Sequence, residues 1–339
     1  MPRRRAHLPN AATLALLSGL VAVVPNGAGA RAEAPRLSLP IECTVGKSCW
    51  VVNYMDDVSG PDARDYHCGA LTYDGHSGTD FAIRDLAEMV KGVPVRAAAP
   101  GIVKAVRDGM PDAGIQNAAP GAIKGRECGN GVLVTHPDGW ETQYCHMRRG
   151  SITVRPGATV ARGQRLGLVG LSGHTEFPHA HLTVRHNGTT VDPFLGDAPF
   201  GACRVSADAL WDRETLAALA YRPSAIYNSG VAGAPPDPDR IRRGERAAPP
   251  AMDAPALVLW ADIFGVDAGD RVALRLLGPD GQTIAENVRV IDKHQARRFE
   301  YAGRKARGEW PAGLYRGEIT VSRADGAVLD HREERIELR

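Results

Sequence analysis

Short β-like runs separated by turn residues dominate the chain from about residue 41 to residue 199. Examples are GVPVRAAAPGIVKAV, GNGVLVTHPDGWETQYCHM and HAHLTVRHNGTTVDP. Runs of this length, rich in Val and Thr and bounded by Gly, Pro, Asn and Asp, are typical of strands. The sequences PDG at 137–139 and NG at 187–188 are typical of hairpin turns, which connect antiparallel neighbours. The pattern therefore predicts an antiparallel all-β domain.

A second β region follows, from about residue 256 to residue 339. Alternating runs such as LVLWADIF and DRVALRLL, with further PDG and ADG turns, predict a small β-sandwich of immunoglobulin-like or related type. Its only histidines are His294 and His331, and it has no cysteine. Because it lacks a cluster of catalytic residue types, we expect it to have a structural role or to bind a protein or cell-wall partner.

The stretch between the two β regions predicts one helix and a linker. The sequence SADALWDRETLAALAY fits a helix at about 207–221, with Ser206 as its candidate N-cap. Residues 227–255 are rich in Pro, Gly and charge without an apolar period, which is typical of a linker. The predicted segments are an extension with cysteines at 33–73, a first β domain at 74–200, a helix and linker at 201–255, and a β-sandwich at 256–339.

The first 32 residues have the features of a secretory signal peptide. Three arginines at positions 3–5 precede an apolar run over residues 11–24, and the small residues of NGAGARA follow. The apolar run is too short to span a bilayer comfortably, and no later segment is comparable. We therefore expect cleavage after Ala30 or Ala32 and a periplasmic or secreted mature protein with no membrane span.

The mature chain should be nearly neutral and linked by disulfides. Removal of the leader's arginines brings the formal charge of +2 to about zero, so charge favours no nucleic-acid partner. Six cysteines in an exported chain predict disulfides, and the sequence does not choose among their pairings. Cys128 begins the strand expected to pair with the strand that carries Cys145, so a Cys128–Cys145 bridge is the first one we predict.

Histidines are crowded into the first β region. Eight of the 11 lie there: His67, His76, His136, His146, His174, His179, His181 and His186. In GHSGTD, His76 and Asp80 are four residues apart in a glycine-rich segment, and imidazole and carboxylate both bind zinc. In FPHAHL, His179 and His181 alternate on a predicted strand and point the same way. Because a tetrahedral catalytic zinc takes three protein ligands, His76, Asp80 and one histidine of this pair would complete a set.

The segment ETQYCHM carries a third signal. If it is a strand, Thr142, Tyr144 and His146 share one face and Cys145 takes the other. We therefore expect His146 to face a site, whereas Cys145 should point into packing or into a disulfide.

The segments GHSGTD, YCH and HAH, in this order, resemble the lysostaphin-type (LytM-like) zinc metallopeptidases. The similarity covers about residues 74–194. It includes GVPVRAAAPGIV, GNGVLVTH, VRPGATVARGQRLGLVGLSG and the closing VDP. The resemblance implies that the predicted domain at 74–200 is a zinc endopeptidase that cuts the peptide stems cross-linking bacterial cell-wall peptidoglycan.

The resemblance also implies a role for each motif residue. His76, Asp80 and His181 match the zinc ligands, for one zinc ion per chain. His146 and His179 match the two histidines that lie beside the metal without binding it. One of them would take a proton from water and the other would stabilise the oxyanion, but the sequence does not say which does which.

Several alternatives stay open at this point. A catalytically silent member of the family could bind peptidoglycan or activate a separate cell-wall amidase, although all five motif positions are filled here. A glycine-rich protein is an alternative substrate. Residues 107–128 are longer than the corresponding link in compact members, which suggests a loop that overhangs or shapes a groove. Asn53 or Asp57 could reach the open zinc position, but we expect this N-terminal segment to be an ordinary packed extension.

Overall fold

The computed structural model describes Met1, Pro2, residues 34–245 and residues 248–339. The predicted signal peptide and its cleavage point lie outside these residues, apart from Met1 and Pro2. Within the described ranges, no helix has both the length and the apolar character that crossing a membrane requires.

Strands provide most of the regular structure of the described chain. They are β1 (Cys49–Asn53), β2 (Thr79–Ile83), β3 (Pro94–Arg96), β4 (Gly101–Arg107), β5 (Asn130–Thr135), β6 (Trp140–Met147), β7 (Thr159–Val160), β8 (Arg165–Leu168), β9 (His179–His186), β10 (Thr189–Thr190), β11 (Ala225–Ala232), β12 (Ala256–Val266), β13 (Arg271–Leu277), β14 (Thr283–Val290), β15 (Gln295–Lys305), β16 (Gly313–Ser322) and β17 (Val328–Leu338). The helices are α1 (Leu86–Lys91), α2 (Gly114–Asn117), α3 (Arg213–Ala218) and α4 (Pro238–Arg242), and Pro137–Gly139 forms a 3₁₀ turn.

One antiparallel sheet carries most of the first β region. Its strand order is β1-β2-β9-β6-β5-β4-β7, and β10 pairs with β9, while β3 and β8 form a separate pair. The β9–β10 hairpin turns at Asn187 and Gly188, whose φ angles of 50° and 82° are those that a two-residue NG turn requires. The predicted antiparallel all-β fold is therefore confirmed.

Alternate residues of the central strands bury one face of this sheet. Phe81 of β2, Leu182 of β9 and Tyr144 of β6 are each at most 1% exposed. Burying a side chain of this size stabilises the fold by roughly 1.5–3 kcal/mol. Because strand side chains alternate, the intervening residues Asp80 and His181 lie on the opposite face.

The predicted helix at 207–221 is wrong in its extent and in its cap. The helix is α3, which begins at Arg213, and its N-cap is Asp212, whose side chain accepts a hydrogen bond from Thr215 N. Ser206 instead accepts from Asp208 N in a turn. The helix cannot start earlier because Trp211 pairs with Leu37 in a β-bridge, which keeps the backbone extended there.

The predicted linker also contains regular structure. Strand β11 pairs along β12, and its first four residues are buried. Helix α4 follows, and Arg242 at its end forms an ion pair with the fully buried Asp262 of β12, with a nitrogen-to-oxygen distance of 3.2 Å. The Pro- and Gly-rich composition did not predict these elements. Pairing with β12 orders the segment, and the segment has no local periodicity of apolar residues that would indicate it.

The predicted sandwich is present and is larger than expected. It consists of a three-stranded sheet, β11-β12-β15, and a four-stranded sheet, β14-β13-β16-β17. Leu257, Leu274 and Tyr315 belong to its own core, whereas Tyr227 and Phe264 pack into the core of the first β region. The two β regions thus lie in one compact unit from Ala34 to Arg339, and the domain boundaries given above stay predictions.

All six cysteines are paired in disulfides. The pairs are Cys43–Cys49, Cys68–Cys203 and Cys128–Cys145. The predicted Cys128–Cys145 bridge is therefore confirmed. Cys68–Cys203 joins the segment before β2 to the segment after β10.

Candidate metal centre

Two neighbouring strands place three of the predicted site residues together. In the register of β2 and β9, Asp80 lies opposite His181 and Ala82 lies opposite His179. Residues directly opposite on antiparallel strands point to the same face of the sheet. His179 and His181 therefore share a face, as predicted, and Asp80 lies beside them.

Three donor atoms converge at this point. His76 Nε2 lies 3.3 Å from Asp80 Oδ1 and 3.2 Å from His181 Nδ1, and Asp80 Oδ1 lies 2.8 Å from His181 Nδ1. His76 and Asp80 are buried, and the His181 side chain is 12% exposed. The site is thus nearly closed to bulk water but is open at His181.

Neighbouring groups fix which ring nitrogens point at this centre. His76 Nδ1 lies 2.6 Å from the Tyr54 carbonyl oxygen, and His181 Nε2 lies 2.9 Å from Thr183 Oγ1. Because a carbonyl only accepts, His76 carries its proton on Nδ1 and keeps a lone pair on Nε2. Thr183 Oγ1 can accept a proton from His181 Nε2, and with the proton there Nδ1, which otherwise bonds to Asp80 Oδ1 over 2.8 Å, is free to bind a cation.

This donor set fits a zinc ion. Two ligand atoms of a tetrahedral zinc with bonds of about 2.0–2.1 Å lie about 3.3 Å apart, close to the distances from His76 Nε2 to Asp80 Oδ1 and to His181 Nδ1. A lone pair on His76 Nε2 and a carboxylate oxygen repel each other at this distance unless a cation or a proton lies between them. Two imidazoles and one carboxylate are a set that zinc prefers.

The charges of the centre support each other. Burial opposes ionisation of Asp80, but the histidines around it, led by His179, hold its pKa well below the ordinary value. Burial lowers the pKa of His76, but the Asp80 charge outweighs it and the net pKa is raised. Burial dominates at His181 and lowers its pKa despite the same carboxylate. Asp80 is therefore ionised at neutral pH.

His146 reaches the site by a different route from the one predicted. Cys145, and not His146, is the residue of β6 that lies opposite His181. Tyr144 is fully buried on the other face, and simple alternation would place His146 with it. A left-handed backbone at His146, with φ of 58°, redirects its side chain, and the ring centroids of His146 and His181 lie 5.8 Å apart. The predicted common face of Thr142, Tyr144 and His146 is therefore wrong.

His146 and His179 lie next to each other beside the donor set. Their ring centroids are 4.6 Å apart. His146 Nδ1 lies 2.8 Å from the Ser172 carbonyl oxygen and His179 Nδ1 lies 3.0 Å from that of Phe177, while His179 Nε2 lies 3.3 Å from Asp80 Oδ1. Because a carbonyl only accepts, each ring carries a proton on Nδ1, and Nε2 is the nitrogen at which a second proton is gained or lost. Burial, and then the neighbouring His179 and His181, lower the pKa of His146 well below its ordinary value.

Comparison with known proteins identifies this part of the chain. Residues 74–193 match the model of peptidase family M23. These residues are an M23 domain. DD-carboxypeptidase/endopeptidase Mpg of Neisseria meningitidis serogroup B is 30% identical over 169 residues, which cover 46% of this chain and 33% of that protein.

Two further proteins are similar to the M23 domain. Peptidoglycan DD-endopeptidase ShyA of Vibrio cholerae is 32% identical over 127 residues, which cover 38% of this chain and 24% of that protein. The catalytic domain of the prophage-encoded M23 protein EnpA of Enterococcus faecalis is 26% identical, with 47% of this chain and 94% of that chain covered and a TM-score of 0.30. The chain spans a third or less of the length of the two curated relatives.

An asparagine outside the M23 domain supports its candidate ligand. Asn53 of β1 lies opposite Asp80 in the strand register, and Asn53 Nδ2 donates to Asp80 Oδ2 over 2.9 Å. Asp57 lies instead against Asp192 and belongs to neither group of His, Asp, Glu and Cys side chains that could hold a metal among the described residues. Because β1 pairs with β2 along the sheet, the expectation of an ordinary packed extension is confirmed.

Tyr73 lies at the mouth of the centre and is not among the predicted residues. Its ring centroid is 4.6 Å from that of His76, and 54% of its surface is exposed. Burial, together with the Asp80 charge, raises the pKa of the Tyr73 hydroxyl, so it stays protonated and able to donate a hydrogen bond. The sequence did not predict a role for Tyr73, because a single tyrosine three residues before His76 matches no motif. Its position at the edge of the cluster is seen only in the structure.

The long segment at 107–128 contacts the approach to β9. Gly114 N donates to the Leu171 carbonyl over 2.9 Å and Ile115 N to that of Thr175 over 2.8 Å. Thr175 Oγ1 in turn lies 3.1 Å from His179 Nδ1. The segment therefore helps to hold the stretch that positions His179, while its effect on a groove stays a prediction.

Proposed function

We propose that this protein is an exported, zinc-dependent endopeptidase that hydrolyses peptide cross-links of bacterial peptidoglycan. The convergence of His76 Nε2, Asp80 Oδ1 and His181 Nδ1 within 3.3 Å of one another is the observation that carries the proposal. These three residues would hold one zinc ion per chain.

Relatives of the M23 domain support the substrate class. The names of the two curated relatives describe a DD-carboxypeptidase/endopeptidase and a peptidoglycan DD-endopeptidase. Both names contain the word endopeptidase, and the second also names peptidoglycan. We propose the same type of cleavage, within the peptide part of the cell wall, for this chain. Three disulfides support export, because such bonds form and persist in oxidising compartments.

His146 and His179 are the proton-transfer residues of the proposal. A zinc ion, when bound, supplies a Lewis acid that polarises a peptide carbonyl and lowers the pKa of water. The Ser172 and Phe177 carbonyls hold the two rings by Nδ1–H, so Nε2 is the nitrogen at which each ring can accept a proton and return it to a leaving amine. Once protonated, a ring can also donate a hydrogen bond to a developing oxyanion.

The floor beside the centre suits an extended peptide. Thr183 and Arg185 follow His181 at alternate positions of β9 and therefore share its face. Arg185 Nη1 donates to Gln143 Oε1 over 2.8 Å on the neighbouring strand. A peptide lying along these strands would meet a polar row that starts at the candidate metal ligand.

Release of soluble muropeptides from purified sacculi tests the proposal. We expect the mature protein to release them, a metal chelator to abolish release, and added zinc to restore it. The His179→Ala variant is the matched inactive control because it leaves the three donor residues in place. A glycine-rich protein substrate, tested in parallel, should not be cut.

Two results would contradict the proposal. Cleavage of the protein substrate without muropeptide release would move the activity to another substrate. Stable binding to sacculi without zinc and without release would favour a peptidoglycan-binding protein or an amidase activator.

A further inference from the structure

A cleft lies where the M23 side of the chain meets the sandwich. Its volume is about 370 Å³, within the range of small-molecule sites. Leu71, Tyr221 and Pro223 lie on one wall, and His294 and Arg323 lie on the other. Sites of this kind occur preferentially between packed modules.

An ion-paired network fixes the sandwich wall of the cleft. Asp267 Oδ1 lies 2.7 Å from His294 Nδ1, and Asp267 Oδ2 accepts from Arg323 Nη1 over 3.1 Å. Arg323 also donates to the buried Asp270 over 3.1 Å. These bonds leave His294 Nε2 and further guanidinium N–H groups of Arg323 to offer hydrogen bonds to a ligand.

A stack of rings fixes the opposite wall. The His67 ring lies 4.3 Å from Tyr221 at an interplanar angle of 10°, and Tyr221 lies 5.4 Å from Tyr54 at 25°. The Tyr221 hydroxyl donates to Asp65 Oδ2 over 2.8 Å, which locks the stack. His67 is exposed, so its outer face and its ring edge are presented to the cleft beside the apolar Leu71.

The charge balance of the cleft indicates a neutral ligand. Asp267 and Asp270 outnumber the single guanidinium of Arg323, so an anion would meet no excess of positive charge, and both carboxylates are already engaged by Arg323, with His294 also on Asp267, which leaves no free carboxylate for a cation. Hydrogen-bonding side chains set around a flat ring and aliphatic surface match the hydroxyl groups and the C–H face of a sugar ring. We propose that this cleft binds a neutral N-acetylated sugar of the cell-wall glycan. The choice of this glycan rests on the proposed function.

The cleft and the candidate metal centre share a structural neighbour. Tyr54 N donates to the Leu71 carbonyl over 2.7 Å, and the Tyr54 carbonyl lies 2.6 Å from His76 Nδ1. Leu71 and His76 are five residues apart, so their Cα atoms are at most about 18 Å from each other. A glycan held in the cleft would therefore place its attached peptide stem within reach of His76.

Titration of the full mature chain with the tetramer of N-acetylglucosamine tests the proposal by calorimetry. The titration needs neither zinc nor hydrolysis, so its result is separate from that of the muropeptide assay. We expect saturable binding that His67→Ala and His294→Ala each weaken about fivefold or more, the effect of losing one hydrogen bond or ring contact. His331→Ala is the matched control, because His331 is an exposed histidine of the same sandwich that contacts Thr320 outside the cleft.

The inference is overturned if the tetramer gives no saturable heat, or if binding is equal in all four proteins. Binding of a free stem peptide with the same sensitivity to His67→Ala, in place of the sugar, would also overturn it. Retained thermal stability in each variant shows that a loss of binding is local.

Discussion

The rings of His146 and His179 lie 4.6 Å apart, centroid to centroid, although they come from different strands and only one follows strand alternation. His179 stands at the start of β9, and His146 turns into the site through its left-handed backbone. Together with His181 the pair also forms a second group whose ligand atoms lie within 4.8 Å of one another. We propose that His146 and His179 transfer protons and that His76, Asp80 and His181 bind the metal.

Replacing either of these histidines should separate metal binding from turnover. We expect His146→Ala and His179→Ala each to keep about one zinc per chain and to lower kcat roughly 10²- to 10⁴-fold, the contribution typical of a general acid or base. Metal analysis beside muropeptide release measures both properties. A variant with near-normal kcat would remove that histidine from the mechanism.

Asn53 should matter for the metal without touching it. Its amide holds Asp80 Oδ2, so Asn53→Ala frees the carboxylate to turn away from His76 and His181. Loss of such an outer contact typically lowers metal affinity roughly 10- to 100-fold. Competition with a chromophoric chelator measures the affinity, and Asn117→Ala, an exposed asparagine on α2, is the control. Equal affinities in the two variants would contradict this role.

The Asp57–Asp192 pair should make the protein less stable as the pH rises. Burial and the Asp192 charge raise the pKa of Asp57 from 3.8 to about 9, and burial raises the pKa of Asp192 to about 6. The folded chain therefore binds protons more tightly than the unfolded chain. The stability that this pair contributes is complete below about pH 4 and is lost as the pH rises towards about 9.

Thermal unfolding between pH 5 and pH 9 measures this linkage. Asp57→Asn should flatten the fall in Tm relative to the wild type, because an amide keeps the hydrogen-bonding shape without titrating. Asp62→Asn, in an exposed turn nearby, should leave the slope unchanged. Parallel slopes for Asp57→Asn and the wild type would show that the pair does not titrate over this range.

Two of the disulfides should differ in how much each stabilises the folded chain. Cys68–Cys203 joins residues 135 apart, whereas Cys43–Cys49 joins residues 6 apart. Loop-closure entropy predicts a loss of about 5 kcal/mol on removing the first bridge and about 2 kcal/mol on removing the second. Urea unfolding of the two paired Cys→Ser variants measures the difference. A larger loss for the short bridge would contradict the entropic account.

Local patterns in the sequence were sufficient for much of the site. The alternation of strand side chains predicted that His179 and His181 share one face. The order of the motifs predicted that His76 and Asp80 lie close to them, as the structure has it. The hairpin between β5 and β6 was enough to pair Cys128 with Cys145.

Features that depend on distant partners could not be predicted in the same way. Strand β11 is ordered by pairing with β12, and Trp211 is kept extended by Leu37. The left-handed turn of the chain at His146 breaks the alternation on which the strand prediction depended. Tyr73 has no local signal in the sequence, and Asn53, which we considered for the open zinc position, reaches the ligand Asp80 instead through the pairing of β1 with β2.

Zinc content of the purified mature protein and of its His181→Ala variant tests the central claim most directly. His174→Ala, an exposed histidine near β9 that is not part of the donor set, serves as the control. The account predicts about one zinc per chain in the wild type and in His174→Ala, and little or none in His181→Ala. Stoichiometric zinc in a folded His181→Ala variant would contradict the assignment of His76, Asp80 and His181 as the ligands.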